Sequence, residues 1–205
     1  MKHLRKGLLA LMALGIGTAV IGGLSTALFT DTAQIQNSTF TTGTVDIDLT
    51  DNNETLADNL ANTQITLTTM APGDSVQPIT GVTATNNGSL ALRYALYASG
   101  TNADSKNLVS QLQLSVRTVD VVTADGNCDD FDGTALATNA TVSTTSTSVF
   151  GSSTAGSQAG DRALAAAAAE VLCFRVSLPT TVGNTYQNAT TTLTWEFLAE
   201  QTANN

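Results

Sequence analysis

Histidine is almost missing from this sequence: the single one, His3, stands among the first residues. Beyond it no Ser-His-Asp triad, no Cys-His pair and no HExxH zinc helix can be assembled. Lysine is scarce too. Past the first ten residues only Lys106 remains, and its place after "TNADS" in a polar segment reads as a solvated loop rather than a desolvated base. Paired carboxylates could still do acid-base work, but nothing in the acidic spacing picks out a pair. "DGNCDDFDG" sets Asp125, Asn127 and Asp129 at alternate positions, as a calcium loop would. An EF-hand needs Gly where Asp130 stands and Glu where Leu136 stands, so the stretch reads as a solvated acidic turn. No catalytic residue, metal ligand or cofactor is expected. Only two cysteines occur, Cys128 and Cys173; in an oxidising exterior they are expected to form one disulfide.

Positive charge is sparse and unevenly placed. Three of the eight basic residues, Lys2, Arg5 and Lys6, precede an uncharged apolar run in "MKHLRKGLLALMALGIGTAVIGGLSTALF". The small residues Ser25-Thr26-Ala27 fit a signal-peptidase site, so residues 1–27 read as a signal peptide cut between Ala27 and Leu28. The run from Gly7 to Phe29 is also long enough to span a bilayer as a retained anchor; the cleavage-site residues and Gly22-Gly23 favour removal. With no cysteine near the junction and no hydrophobic tail at "EQTANN", the expectation is a protein secreted to the extracellular matrix or cell surface. Beyond Ala27 five positive face seventeen negative side chains, a net charge of −12. That balance argues against nucleic-acid binding and repels anionic membranes. The 178 residues left after Ala27 suit one domain with a substantial core.

Helical periodicity is rare, and period-2 alternation takes its place. "TVDIDL" sets Val45, Ile47 and Leu49 on one face, and "TTLTWEFLAE" does the same for Leu193, Trp195, Phe197 and Ala199. Leu90, Leu92, Tyr94 and Leu96 alternate likewise, as do Leu112, Leu114 and Val116, and Leu172, Phe174, Val176 and Leu178. Cys173 falls on the opposite side of its strand, from which it would tie a peripheral insertion around Cys128 to the sheet. "DNNET", "APGD", "NNGS" and "TVGN" separate the runs. Asn86-Asn87-Gly88-Ser89 reads as a tight hairpin turn joining "GVTAT" to "LALRYALYA". About eight strands with one apolar face each imply an all-β, antiparallel, jelly-roll-like sandwich. Thr123 to Gly160, rich in Ser, Thr and Gly, is expected to be a long exposed loop with at most a short ribbon, and to supply no core. "RALAAAAAEV" is the one helical candidate, because alanine has the best helix propensity.

Three segments carry a resemblance: "LFTDTAQIQNSTFTTGTVDIDL", "MAPGDSVQPITGVTATNNGSLALRYAL" and "VGNTYQNATTTLTWEFLAEQ". Together, and in this order, they resemble the TasA and camelysin (spore coat-associated protein N) family of secreted bacterial proteins. The resemblance implies a jelly-roll domain over residues 38–205, release by a dedicated signal peptidase, and assembly into extracellular fibres of the biofilm matrix. It further implies that residues 28–37 leave their own subunit and complete the sheet of the next, a strand addition in which backbone hydrogen bonds supply affinity. Leu28, Phe29, Ala33 and Ile35 would then form the polymerisation strand, the last three facing the neighbour's core. The implied partners are other copies of the chain, the signal peptidase and other matrix proteins. Two further readings stand beside this one. A monomeric surface adhesin or matrix accessory protein would carry the same core. Camelysin-like members have been classed as metallopeptidases, yet past residue 27 this chain has no histidine, and carboxylates alone hold zinc poorly.

Overall fold

Alternation decides the faces of the strands, and two antiparallel sheets close over the apolar ones. The structure, a computed structural model, describes residues 43–50, 70–78, 81–119 and 127–203. The signal segment, the Ala27–Leu28 junction and the polymerisation strand Leu28, Phe29, Ala33 and Ile35 lie outside the described residues. The larger sheet contains β1 (Ile47–Thr50), β2 (Ser75–Val76), β3 (Val82–Asn86), β5 (Gln113–Thr118), β6 (Ala135–Thr141) and β9 (Ala169–Ser177). Its order is β1-β3-β9-β5-β6, with β2 beside the far end of β9. The smaller sheet contains β4 (Leu92–Gly100), β7 (Thr147–Phe150), β8 (Arg162–Leu164) and β10 (Leu193–Gln201). Its order is β10-β4-β7, and β8 pairs with the start of β4. All pairings are antiparallel.

The core is the one the alternation predicts. Leu92, Tyr94 and Leu96 of β4 meet Leu114 and Val116 of β5 and Leu172, Phe174 and Val176 of β9, all buried in one cluster. Burying each such side chain stabilises by roughly 1.5–3 kcal/mol. Tyr94 packs against Phe150 and Phe197 at ring separations of 6.0 and 5.8 Å, and Phe174 stacks on Trp195 at 4.9 Å. The Tyr94 hydroxyl crosses the sandwich and donates to Glu170 Oε1 at 2.7 Å, where Arg162 also binds. Burial, then the Glu170 charge, push that hydroxyl far above its ordinary value, so it stays a donor. Ile47 and Leu49 pack on the core as expected, whereas Val45 is 40% exposed.

Three expectations are corrected. The Asn86–Ser89 stretch is not a hairpin turn, because β3 belongs to the larger sheet and β4 to the smaller one. Asn86 is instead a fully buried corner. Its Nδ2 donates to the carbonyls of Leu90, Leu164 and Ala165 at 2.8, 3.2 and 3.0 Å, and its Oδ1 accepts the Gly88 N–H at 3.0 Å. Gly88 serves close approach here, since a Cβ would sit 2.4 Å from the Thr44 carbonyl oxygen. Asn86→Ala is expected to cost about 2–4 kcal/mol, because buried carbonyls lose their donor. Urea unfolding would show this as a lower midpoint at unchanged slope.

The alanine run is not a helix. Arg162–Leu164 is β8, a turn follows with Ala167 at φ 60°, and β9 starts at Ala169. Propensity differences of tenths of a kcal/mol per residue yield to specific backbone bonds. Ala167 N donates to the Asn86 carbonyl at 3.0 Å, and Asn86 N to the Ala168 carbonyl at 2.8 Å. The polar insertion is also more than a loop. It supplies β6 to one sheet and β7 to the other, and it sends Val142 and Phe150 into the core. Threonine-rich stretches suit half-exposed strands, and two apolar residues are enough to anchor them.

Candidate assembly site

The sheets differ in width, and this leaves a distinctive border. Among the described residues the larger sheet is five lanes wide and the smaller only three, with β10 outermost. β10 pairs with β4 over nine residues without a break, from Leu193 opposite Gly100 to Gln201 opposite Leu92. Among the described residues nothing pairs with its other edge. The remaining borders are short or irregular: β1 has four residues, β7 four, β8 three, and the β5–β6 register shifts twice. Sheet edges are usually protected by lysine, proline, a bulge or brevity. "LTWEFLAEQ" has none of these.

The inward row of this border is incompletely covered. Leu193, Trp195, Phe197 and Ala199 pack on the core yet remain half-exposed, while Leu92, Tyr94, Leu96 and Ala98 of β4 beside them are fully buried. The Trp195 indole N–H is buried without an acceptor among the described residues. Such a donor costs about 1–3 kcal/mol when unpaired. Leu198, facing outward, is 41% exposed.

A groove of about 850 Å³ opens where β10 begins. Met70, Pro72, Leu108, Leu112, Leu178 and Tyr186 line it, and the segment from Gln187 to Thr191 forms a wall that runs into β10. Asp104 holds this wall by accepting the Thr190 N–H at 2.7 Å and the Lys106 N–H at 3.0 Å. These bonds, the one from Lys106 first, keep its carboxyl below the usual range. Lys106, expected to be a solvated loop residue, donates from Nζ to the Gln187 carbonyl at 2.6 Å.

On the far side of the larger sheet Cys128 and Cys173 are bonded at 2.00 Å. Both are buried, with Phe131, in a small cluster separate from the main core. The alternation read from the sequence had placed Cys173 on that side. The border status of β10 was not visible there, although the lack of lysine and proline in an amphipathic nine-residue strand is a usable signal.

Three of the described carboxylates are held by partners of their own. Glu170 is engaged by Tyr94 and Arg162, Glu200 by Arg93 and the Gly156 N–H, and Asp161 by the N–H groups of Ser152 and Gln158. Among the described residues no three of His, Cys, Asp and Glu gather where they could hold a metal ion. The donor set therefore does not fit a histidine-ligated zinc ion, and no hydrolytic step follows from it. Compared with known proteins, residues 3–205 match the family described as camelysin metallo-endopeptidase. No curated protein matches the chain.

Proposed function

The chain belongs to the camelysin metallo-endopeptidase family, and on that premise we propose that it is a secreted structural subunit, not a peptidase, that polymerises by N-terminal strand donation into extracellular biofilm-matrix fibres. The observation that carries this reading is the β10 border: nine residues long, regular, without lysine, proline or bulge, unpaired among the described residues, and half-covered on its inward face. A donated strand 28–37 from another copy adds a lane there. Ala33 and Ile35 extend the apolar row of Leu193, Trp195, Phe197 and Ala199, and the groove at the start of β10 takes a bulky side chain such as Phe29.

Magnitudes favour this border over the others. Association costs an estimated 4–15 kcal/mol in lost freedom, and a backbone hydrogen bond returns about 1 kcal/mol net. A four-residue border offers too few bonds to meet that cost. A nine-residue one, with about eight such bonds and two large apolar side chains worth about 2 kcal/mol each, returns about 12 kcal/mol and exceeds all but the upper end of that range. Because donor and acceptor surfaces differ, the contact is head-to-tail and propagates as a filament.

Negative-stain microscopy at rising concentration, with N-terminal sequencing of the same sample, tests the proposal. Filaments made of chains beginning at Leu28 are the expected result. Monomers at every concentration, with that same N-terminus, would overturn it in favour of a surface adhesin or matrix accessory protein.

A further inference from the structure

The wall of the groove at the start of β10 is an exception in a fold made of paired strands. Residues 187–192 join a 3-10 turn, Asn184–Tyr186, to β10, and among the described residues they pair with no strand. The hydrogen bonds that tie this wall to distant parts of the described chain end on residues 101–106. Asp104 Oδ2 accepts the Thr190 N–H at 2.7 Å, and Lys106 Nζ donates to the Gln187 carbonyl at 2.6 Å. Thr101 completes the set. Its carbonyl accepts from Thr191 Oγ1 at 2.8 Å, its Oγ1 accepts the Thr192 N–H at 2.9 Å, and its own N–H donates to the Thr192 carbonyl at 3.0 Å.

Both sides of this latch are held in costly backbone. Ser105, Asn107 and Asn188 have φ of 59°, 56° and 56°, three of the six left-handed residues other than glycine among those described. Asparagine tolerates this region and serine less so. Such conformations persist where the surroundings over-determine them, and they gather at ligand clamps. Here the surroundings are explicit. Asn102 Oδ1 accepts the Asn107 N–H at 2.6 Å, the Asn102 carbonyl accepts the Ser105 N–H at 3.2 Å, and Asp104 Oδ1 accepts the Lys106 N–H at 3.0 Å. On the wall, Gln187 at φ −59° and ψ 133° and Asn188 form a type II turn, closed by the Ala189 N–H on the Tyr186 carbonyl at 3.0 Å. The Lys106 N–H, then the Thr190 N–H, keep the Asp104 carboxyl below its usual range, so at neutral pH both its oxygens accept.

We propose that Asp104 is a positioning residue for assembly: with Lys106 it latches the wall 187–192 and so sets the groove that receives one bulky apolar side chain, Phe29, from strand 28–37 of a second copy. The inference rests on the donor-strand reading above. Continuity selects the occupant. The groove opens where β10 begins, it is apolar at Met70, Leu108, Leu112 and Leu178, and Phe29 is the only aromatic residue of 28–37. Neither Asp104 nor Lys106 is among the residues that line the groove, so each acts through the wall. A wall fixed in advance spares the incoming strand the cost of ordering it. With the latch cut, only a fraction of the molecules present a competent wall, and affinity falls by that fraction.

The measurement is the threshold concentration at which the full signal-cleaved protein forms filaments, read by light scattering and negative-stain microscopy. Asp104→Ala should raise it about tenfold, the result of about a tenth of the walls remaining competent. Its melting temperature should stay within about 2 °C of the wild type. Lys106→Met, which leaves both Asp104 bonds in place, should raise the threshold about threefold. An Asp104→Ala protein that assembles like the wild type would refute the latch. Phe29→Ala adds a readout that a merely structural role does not move. Combined with it, Asp104→Ala should change the threshold by less than about twofold, because no bulky side chain then needs the groove. A further tenfold rise in the double variant means that Asp104 acts elsewhere, and an unchanged threshold in Phe29→Ala alone means that another group fills the groove; either result counts against the proposal. A wild type that forms no filaments at any concentration refutes the donor-strand reading itself, so the two failures are told apart.

Discussion

A chain that starts at Gln36 instead of Leu28 is expected to fold normally and to form no filaments. Folding survives because the core cluster of the described residues lies between Ile47 and Ala199, outside the deleted Leu28–Ile35. Assembly fails because the donated strand supplies most of the binding energy. About eight backbone hydrogen bonds at about 1 kcal/mol each, with Phe29 and Ile35 at about 2 kcal/mol each, make a gross gain near 12 kcal/mol. Losing even about 7 kcal/mol of it lowers affinity about five orders of magnitude. Thermal melting should be unchanged while microscopy shows only monomers. The missing piece should also act in trans. A peptide of residues 28–37 added to the shortened chain is expected to bind beside β10. Trp195, the only tryptophan, reports that binding by fluorescence. Filaments from the shortened chain, or an unaltered Trp195 signal with excess peptide, would refute the donor-strand reading.

The second large effect concerns the disulfide. Cys128→Ala/Cys173→Ala is expected to destabilise by about 4 kcal/mol, the loop-closure value for the observed separation of 45 residues. For a domain of this size that corresponds to a melting point lower by about 8–16 °C. Alanine is the right replacement, since both sites are fully buried and serine would add an unpaired hydroxyl. The loop from Asn127 to Gly133 has other attachments: Phe131 against Arg175 and Arg117, and the Gln77 bonds. A melting point within about 2 °C of the wild type would mean that these contacts hold the loop without the disulfide.

Much of the fold is legible in the chain because strand alternation is local. Side chains two apart share a face, so Leu92, Tyr94 and Leu96, or Leu172, Phe174 and Val176, declare their buried side without reference to any neighbour. The cysteine pairing follows from there being only two. Family membership follows from motifs at both ends of the chain. The alanine run and the Thr-rich insertion were misread for one shared reason. Composition reports what a segment prefers when alone, and these segments sit where other strands provide backbone partners.

The sequence by itself determined the all-β class, the inward faces of the main strands, the cysteine pair and the acidic, histidine-poor character of the chain. Tertiary structure alone decided which strand neighbours which. Asn86 looks like a turn residue until Leu164 and Ala165, 78 and 79 residues away, bring it their carbonyls. β10 looks like any amphipathic strand until, among the described residues, it proves to be the last lane of the smaller sheet. Arg117 and Arg175 meet only because β5 and β9 pair in one register. Each of these outcomes depends on contacts between distant segments. Their free energy resides in pairs of residues, and no local pattern within one strand encodes the pair.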